Sequence, residues 1–206
     1  MFQTRTKLIV FIVALFIGVI FLSCSDDTSY DQRTIVVVSS INEGSPFVSD
    51  VLNQGDSLYN ADNVTYKTED DYIEEDYIPV TFYNRPYSSL IDVDNSSLGD
   101  FLVTGYDVEF IRSDGGTSPV PPFSGQTSIL VPANSTVEAN ILIVPFYVKN
   151  QPPLVNLEYT ANEIMTYAHI VFHGHEVQTD RNIDFTADIS VDFADPLQGV
   201  GNHSGQ

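Results

Sequence analysis

Cysteine, cationic residues and tryptophan are all scarce in this 206-residue sequence. Cysteine occurs once, at Cys24, so no intramolecular disulfide can form and stability must come from an ordinary core. Lys and Arg number 8 against 28 Asp and Glu, a formal net charge of −20. A field of that sign repels phosphate backbones and anionic lipid and attracts divalent cations, which excludes nucleic acid as a partner. The absence of Trp removes the best sugar-stacking side chain, leaving Tyr83, Tyr87 and Tyr106 to serve in its place. There is no G-x-S-x-G, no P-loop and no S-x-x-K, so no recognisable nucleophile or nucleotide-binding loop is present.

The cationic residues that do occur are unevenly placed. Arg5 and Lys7 precede Leu8 to Leu22, a 15-residue run of Leu, Ile, Val, Phe, Ala and Gly. Basic, then apolar, then small is the order of an export signal. The run is short of the roughly 20 apolar residues that span a bilayer, which favours a removable signal over a permanent anchor helix. The stretch Phe21-Leu22-Ser23-Cys24 resembles the lipobox of bacterial lipoproteins, in which a small residue precedes a cysteine that is acylated and becomes the new N-terminus. The resemblance covers the first 24 residues and implies that Cys24 is a lipid anchor, with each buried CH₂ contributing about 0.8 kcal/mol of membrane affinity. Removing 1–23 leaves six cationic residues against 28 acidic ones, a net charge of about −22.

The expected organisation is a signal peptide (1–23), a lipidated polar tether (24–33), a β domain (34–197) and a C-terminal tail (198–206). Ser25-Asp26-Asp27 at the head of the tether also resembles acidic signals that send lipoproteins to the cell surface in some bacteria. The localisation implied is the cell envelope, lipid-anchored to the outer membrane and facing either the periplasm or the surface.

Past the tether, period-two patterns dominate. Thr34 to Ile41 is β-branched and apolar, and Tyr77 to Tyr83 puts Ile78, Val80 and Phe82 on one face. Phe101 to Arg112 puts Leu102, Tyr106, Val108 and Phe110 on one side and Asp107 and Glu109 on the other. Thr127 to Val131 forms a short strand, and Ala139 to Val148, apolar on both faces, predicts a buried central one. Met165 to Val177 turns Ala168, Ile170 and Phe172 inward and Tyr167, His169, His173 and His175 outward. Asn182 to Phe193 alternates without a break, with Asp184, Asp188 and Asp192 outward, and the short Gln178 to Arg181 segment joins the two as a hairpin. No helix longer than a turn or two is expected. About eight strands around one core predict an all-β fold: a single antiparallel β-sandwich of immunoglobulin-like or jelly-roll-like architecture.

Two segments are candidates for chemistry. Residues two apart on a strand point the same way, about 6.6 Å apart, so His173-x-His175 can converge on one ion such as zinc. Pairing 177 with 182 would set His175 opposite Asp184, completing a two-His, one-carboxylate set. The second candidate is the acidic run Glu69, Asp70, Asp71, Glu74, Glu75 and Asp76, six carboxylates in eight residues, which has the oxygen chemistry of a calcium loop. Asp92, Asp94 and Asn95 with Asp100 form a lesser version of the same thing. The function expected is a non-enzymatic, lipid-anchored binding or structural module that requires no cofactor and meets the membrane through its lipid and an envelope protein or glycan through its surface. The alternatives are a calcium- or zinc-binding surface protein and a hydrolase of envelope glycans.

Overall fold

In the computed structural model the residues described are 34–53, 71–87 and 99–195. The expectations about the signal, Cys24, the tether, the tail, Glu69, Asp70 and the Asp92 to Asn95 cluster concern residues outside these. Period-two alternation of β-branched and aromatic residues drives eight strands: β1 (Thr34–Ile41), β2 (Phe47–Asp50), β3 (Asp76–Pro86), β4 (Phe101–Arg112), β5 (Phe123–Val131), β6 (Thr136–Val144), β7 (Glu163–Glu176) and β8 (Asn182–Ala194). They form a three-stranded sheet in the order β1-β3-β6 and a five-stranded sheet in the order β2-β8-β7-β4-β5. Together these make a β-sandwich. Every pairing within the two sheets is antiparallel except that of β2 with β8, which is parallel.

The core lies between the inner faces. Ile78, Val80 and Phe82 of β3 and Ile141 and Ile143 of β6 meet Ala168, Ile170 and Phe172 of β7 and Ile189, Val191 and Phe193 of β8. Phe82 ties the sheets together: its ring stands edge-on to Phe172 (5.1 Å, 89°) and to Phe185 (6.1 Å, 90°), which are stacked on one another at 5.3 Å. Such pairs contribute about 0.5–1.5 kcal/mol beyond the area they bury. A second tie runs through Tyr106, whose hydroxyl donates to the Leu142 carbonyl of β6 at 3.0 Å. Its ring crosses the backbone of Gly125, where a Cβ would lie 2.3 Å from Tyr106 Cζ, so β5 can pass only without a side chain there.

The structure corrects the sequence reading in three places. First, the inward face of β4 changes phase. The register shifts between Val103 and Gly105, so Phe101 and Val103 point inward below the bulge and Tyr106, Val108 and Phe110 above it. Leu102, expected inside, is on the outer face opposite His175 and Leu130. Second, the apolar run 139–148 is not one central strand. β6 is an edge strand that ends at Val144, because Pro145 cannot continue the ladder and instead caps a short helix, α1 (Phe146–Lys149). Val148 of α1, with Leu154 and Leu157 of the following 3₁₀ turn, closes one end of the core, while Phe146 and Tyr147 of the same run are exposed.

The third correction is the β7–β8 register. His173, not His175, sits opposite Asp184, and His175 sits opposite Asn182. The connection is five residues long, closed by Asp180 N–H to Glu176 O at 2.9 Å and Glu176 N–H to Arg181 O at 3.0 Å, with Asp180 at φ +55°. A shift of two residues keeps every side chain on its expected face, whereas a shift of one would have inverted the strand.

Candidate functional site

The outer face of the five-stranded sheet carries a ladder of histidines and carboxylates. β7 supplies the histidines because its outward positions are odd-numbered, and β8 supplies aspartates because its outward positions are even-numbered. Once 173 pairs with 184, four residues further along His169 faces Asp188. His169 Nδ1 lies 2.7 Å from Asp188 Oδ1. His173 Nδ1 lies 3.0 Å from Asp184 Oδ1, and its Nε2 lies 2.9 Å from Asp107 Oδ2 on β4. Asp107 also accepts a hydrogen bond from the Ser124 hydroxyl of β5 at 2.5 Å. The chain Ser124, Asp107, His173, Asp184 thus crosses four adjacent strands.

This arrangement dictates protonation. A neutral imidazole has one N–H and would turn a lone pair towards one of the two carboxylates, whereas the imidazolium donates to both. The hydrogen bonds that His173 donates to Asp184 and then to Asp107 accordingly raise its pKa above the ordinary 6.5. Asp107 is held below the ordinary carboxylate value by the Ser124 hydroxyl first and His173 second. The side chains are 38% (His173), 56% (Asp107) and 63% (Asp184) exposed, so solvent screens each contact.

Of the residues proposed as a zinc set, His173 and Asp184 come together and His175 does not join them: its Nε2 lies 3.9 Å from Asp180 in the hairpin loop. Both ring nitrogens of His173 are already engaged by carboxylates. Among the described residues no group of three or more His, Cys, Asp or Glu side chains is placed to hold a metal ion.

The described part of the acidic run is dispersed in the same way. The Asp71 carboxylate accepts from the Tyr159 hydroxyl at 2.5 Å, Glu74 from Asn53 at 3.5 Å and Glu75 from the Tyr77 hydroxyl at 3.0 Å. Asp76 turns inward and pairs with Lys149 at 2.9 Å while accepting from Ser49 at 2.5 Å. Burial raises the Asp76 pKa, with Lys149 opposing that shift. Asp100 accepts from the Ala133 N–H at 2.9 Å.

Sequence reasoning missed Asp107, Ser124 and the His169–Asp188 pair as members of the site. Their outward positions were readable, but the strand order that makes β4 the neighbour of β7 was not. No protein-family model matches the chain, and no curated protein matches it.

Proposed function

We propose that this chain is a lipid-anchored envelope protein whose β-sandwich serves as a binding or structural module, held at the membrane through Cys24. The observation that carries the reading is the outer face of the five-stranded sheet. Its polar side chains are fixed by one another across β5, β4, β7 and β8, giving a preorganised surface. The Ser124 hydroxyl donates to Asp107 and is not paired with a histidine, an arrangement suited to holding shape rather than to activating a nucleophile. The acidic balance of the chain supports a partner or ligand that tolerates or seeks negative charge.

Anchoring and binding are tested separately. Cys24→Ser should abolish incorporation of labelled fatty acid and shift the protein from membrane to soluble fractions or leave it as uncleaved precursor; unchanged mass and membrane retention would reject the anchor. For the module, a photo-crosslinking residue at Thr186, on the outer face of β8, should capture a defined partner in intact cells. The same residue at Glu138 on β6 should not. Equal capture from both positions, or from neither, would remove the five-stranded face as the working surface.

A further inference from the structure

The outer face of the larger sheet is stepped rather than flat. The β4–β5 pairing ends at Val108 with Phe123, while β4 continues to Arg112, so Glu109 has β7 on one side and no β5 residue on the other. The step is an open groove of about 360 Å³. Pro122, Phe123 and Val171 give it apolar walls, and Asp107, Glu109 and His169 stand at its rim. A volume near the lower limit of small-ligand pockets suits a single long side chain.

Two of the rim groups, Asp107 and Glu109, are carboxylates that accept hydrogen bonds. Asp188 engages Nδ1 of His169, and a neutral ring with its proton there presents the Nε2 lone pair. Among the described residues Nε2 of His169 and the carboxylate of Glu109 have no protein partner. No lysine or arginine lines the groove; nearby Arg112 is turned to Asp114 at 2.5 Å and to the Ser118 carbonyl. Along the same face, Ile111 and Tyr167 form the next cross-strand pair, with Met165 beyond, and all three are exposed apolar side chains.

We infer that the groove receives a lysine or arginine side chain from a basic segment of a partner polypeptide, its aliphatic stem on Val171 and Pro122 and its cation against Glu109 and Asp107. This deepens the binding-module reading and rests on it. Charge complementarity selects the partner: a cationic head on an apolar stem matches an apolar floor with an anionic rim. A second copy of this chain, with its large net negative charge, would be repelled.

The test uses the full-length protein in uncharged detergent micelles at pH 8 and low salt, with the peptide acetyl-Gly-Arg-Gly-amide as probe and its citrulline analogue as the uncharged isostere. Backbone amide NMR shifts should saturate with a dissociation constant on the order of 1 mM and concentrate at Phe123, Ser124 and Val171. The citrulline peptide should bind far more weakly. Glu109→Gln should weaken the arginine peptide about fivefold, and Glu138→Gln on the other sheet should leave it unchanged. No saturable shift, equal binding of the citrulline peptide, or an equal loss in both variants would overturn the groove. The Thr186 crosslink is independent of that result, since a partner captured there with no arginine-specific groove would leave the module standing.

Discussion

Two regions of this molecule hold nominally the same interaction, a cation against a carboxylate, and differ almost entirely in what it is worth. On the outer sheet face, His173 lies between Asp184 and Asp107 with 38% of its side chain exposed. At the end of the core closed by α1, Lys149 is 1% exposed, paired with Asp76 at 2.9 Å and donating to the Asp50 carbonyl at 2.7 Å. Water competes freely with the first contact and reaches the second only through Asp76, whose side chain is 15% exposed. The exposed pair therefore adds little to stability, while the buried one becomes a structural obligation: removing Asp76 strands a buried ammonium, and removing Lys149 strands a largely buried carboxyl. Negative charge in excess is available for a partner on the sheet face, whereas at the α1 end the Asp50 and Asp76 carboxylates both lie near the buried Lys149.

Removing one member of the buried pair is the largest test of this contrast. Lys149→Met should destabilise the fold by about 3–5 kcal/mol in urea unfolding, because Asp76 loses its counter-charge and keeps only the Ser49 hydroxyl, while the Asp50 carbonyl loses its lysine donor. Adding Asp76→Leu should restore most of that, leaving a deficit of about 1 kcal/mol for the carbonyl. If the single and double variants were equally unstable, packing of the lysine stem and not its charge would be what the site requires.

A smaller effect should come from the backbone under the ladder. Gly174 lies between the two outward histidines with its inward side against Phe101; a Cβ there would sit 2.4 Å from the Leu102 carbonyl oxygen and 2.5 Å from the Phe101 ring. Gly174→Ala should cost about 1–3 kcal/mol by overpacking. It should also perturb the His173 ring resonances, since β7 would have to move. A loss with His173 unchanged would show that the ladder is held by its carboxylates and not by the strand beneath.

Much of the fold was legible because period-two alternation reports burial directly. The bounds of β1 and β4, and the in-or-out assignment of β7 and β8, follow from where apolar residues recur. What escaped depends on information that alternation does not carry. β2 has four residues and pairs in parallel with the last strand, so nothing local announces it. The bulge after Val103 inverts Leu102 without any Gly or Pro at the inserted residue, Thr104. The hairpin register turns on Asp180 adopting a left-handed φ, which an aspartate tolerates but does not advertise. The shared outer face of His173 and Asp184 on one hairpin could be read, though not the register that pairs them, while Asp107 and Ser124 required the sheet order. Lys149 reads as the polar end of an apolar run, and only the fold shows that it points inward.

The smallest effect expected is also the most diagnostic of the exposed region, since it has a sign at each end of the pH scale. His173 has a raised folded pKa, so its contribution is full below the unfolded value near 6.5 and is lost as pH climbs through the folded one. Asp107 has a depressed folded pKa, so its contribution is full above the unfolded value near 3.8 and is lost as pH falls through the folded one. The ladder is complete between roughly pH 4 and 6.5. The stability difference between the native chain and His173→Gln should therefore be greatest in that window, stay under about 1 kcal/mol because the groups are solvated, and decline on both sides. Asp184→Asn should lower the contribution within the window and end its alkaline decline at lower pH, bringing the His173 titration seen by NMR back towards 6.5, because Asp184 is the larger cause of the shift. Asp107→Asn should move it less. Equal displacement by the two variants would mean that the carboxylates hold the imidazolium symmetrically, and that the ladder is anchored as firmly to β4 as to the hairpin.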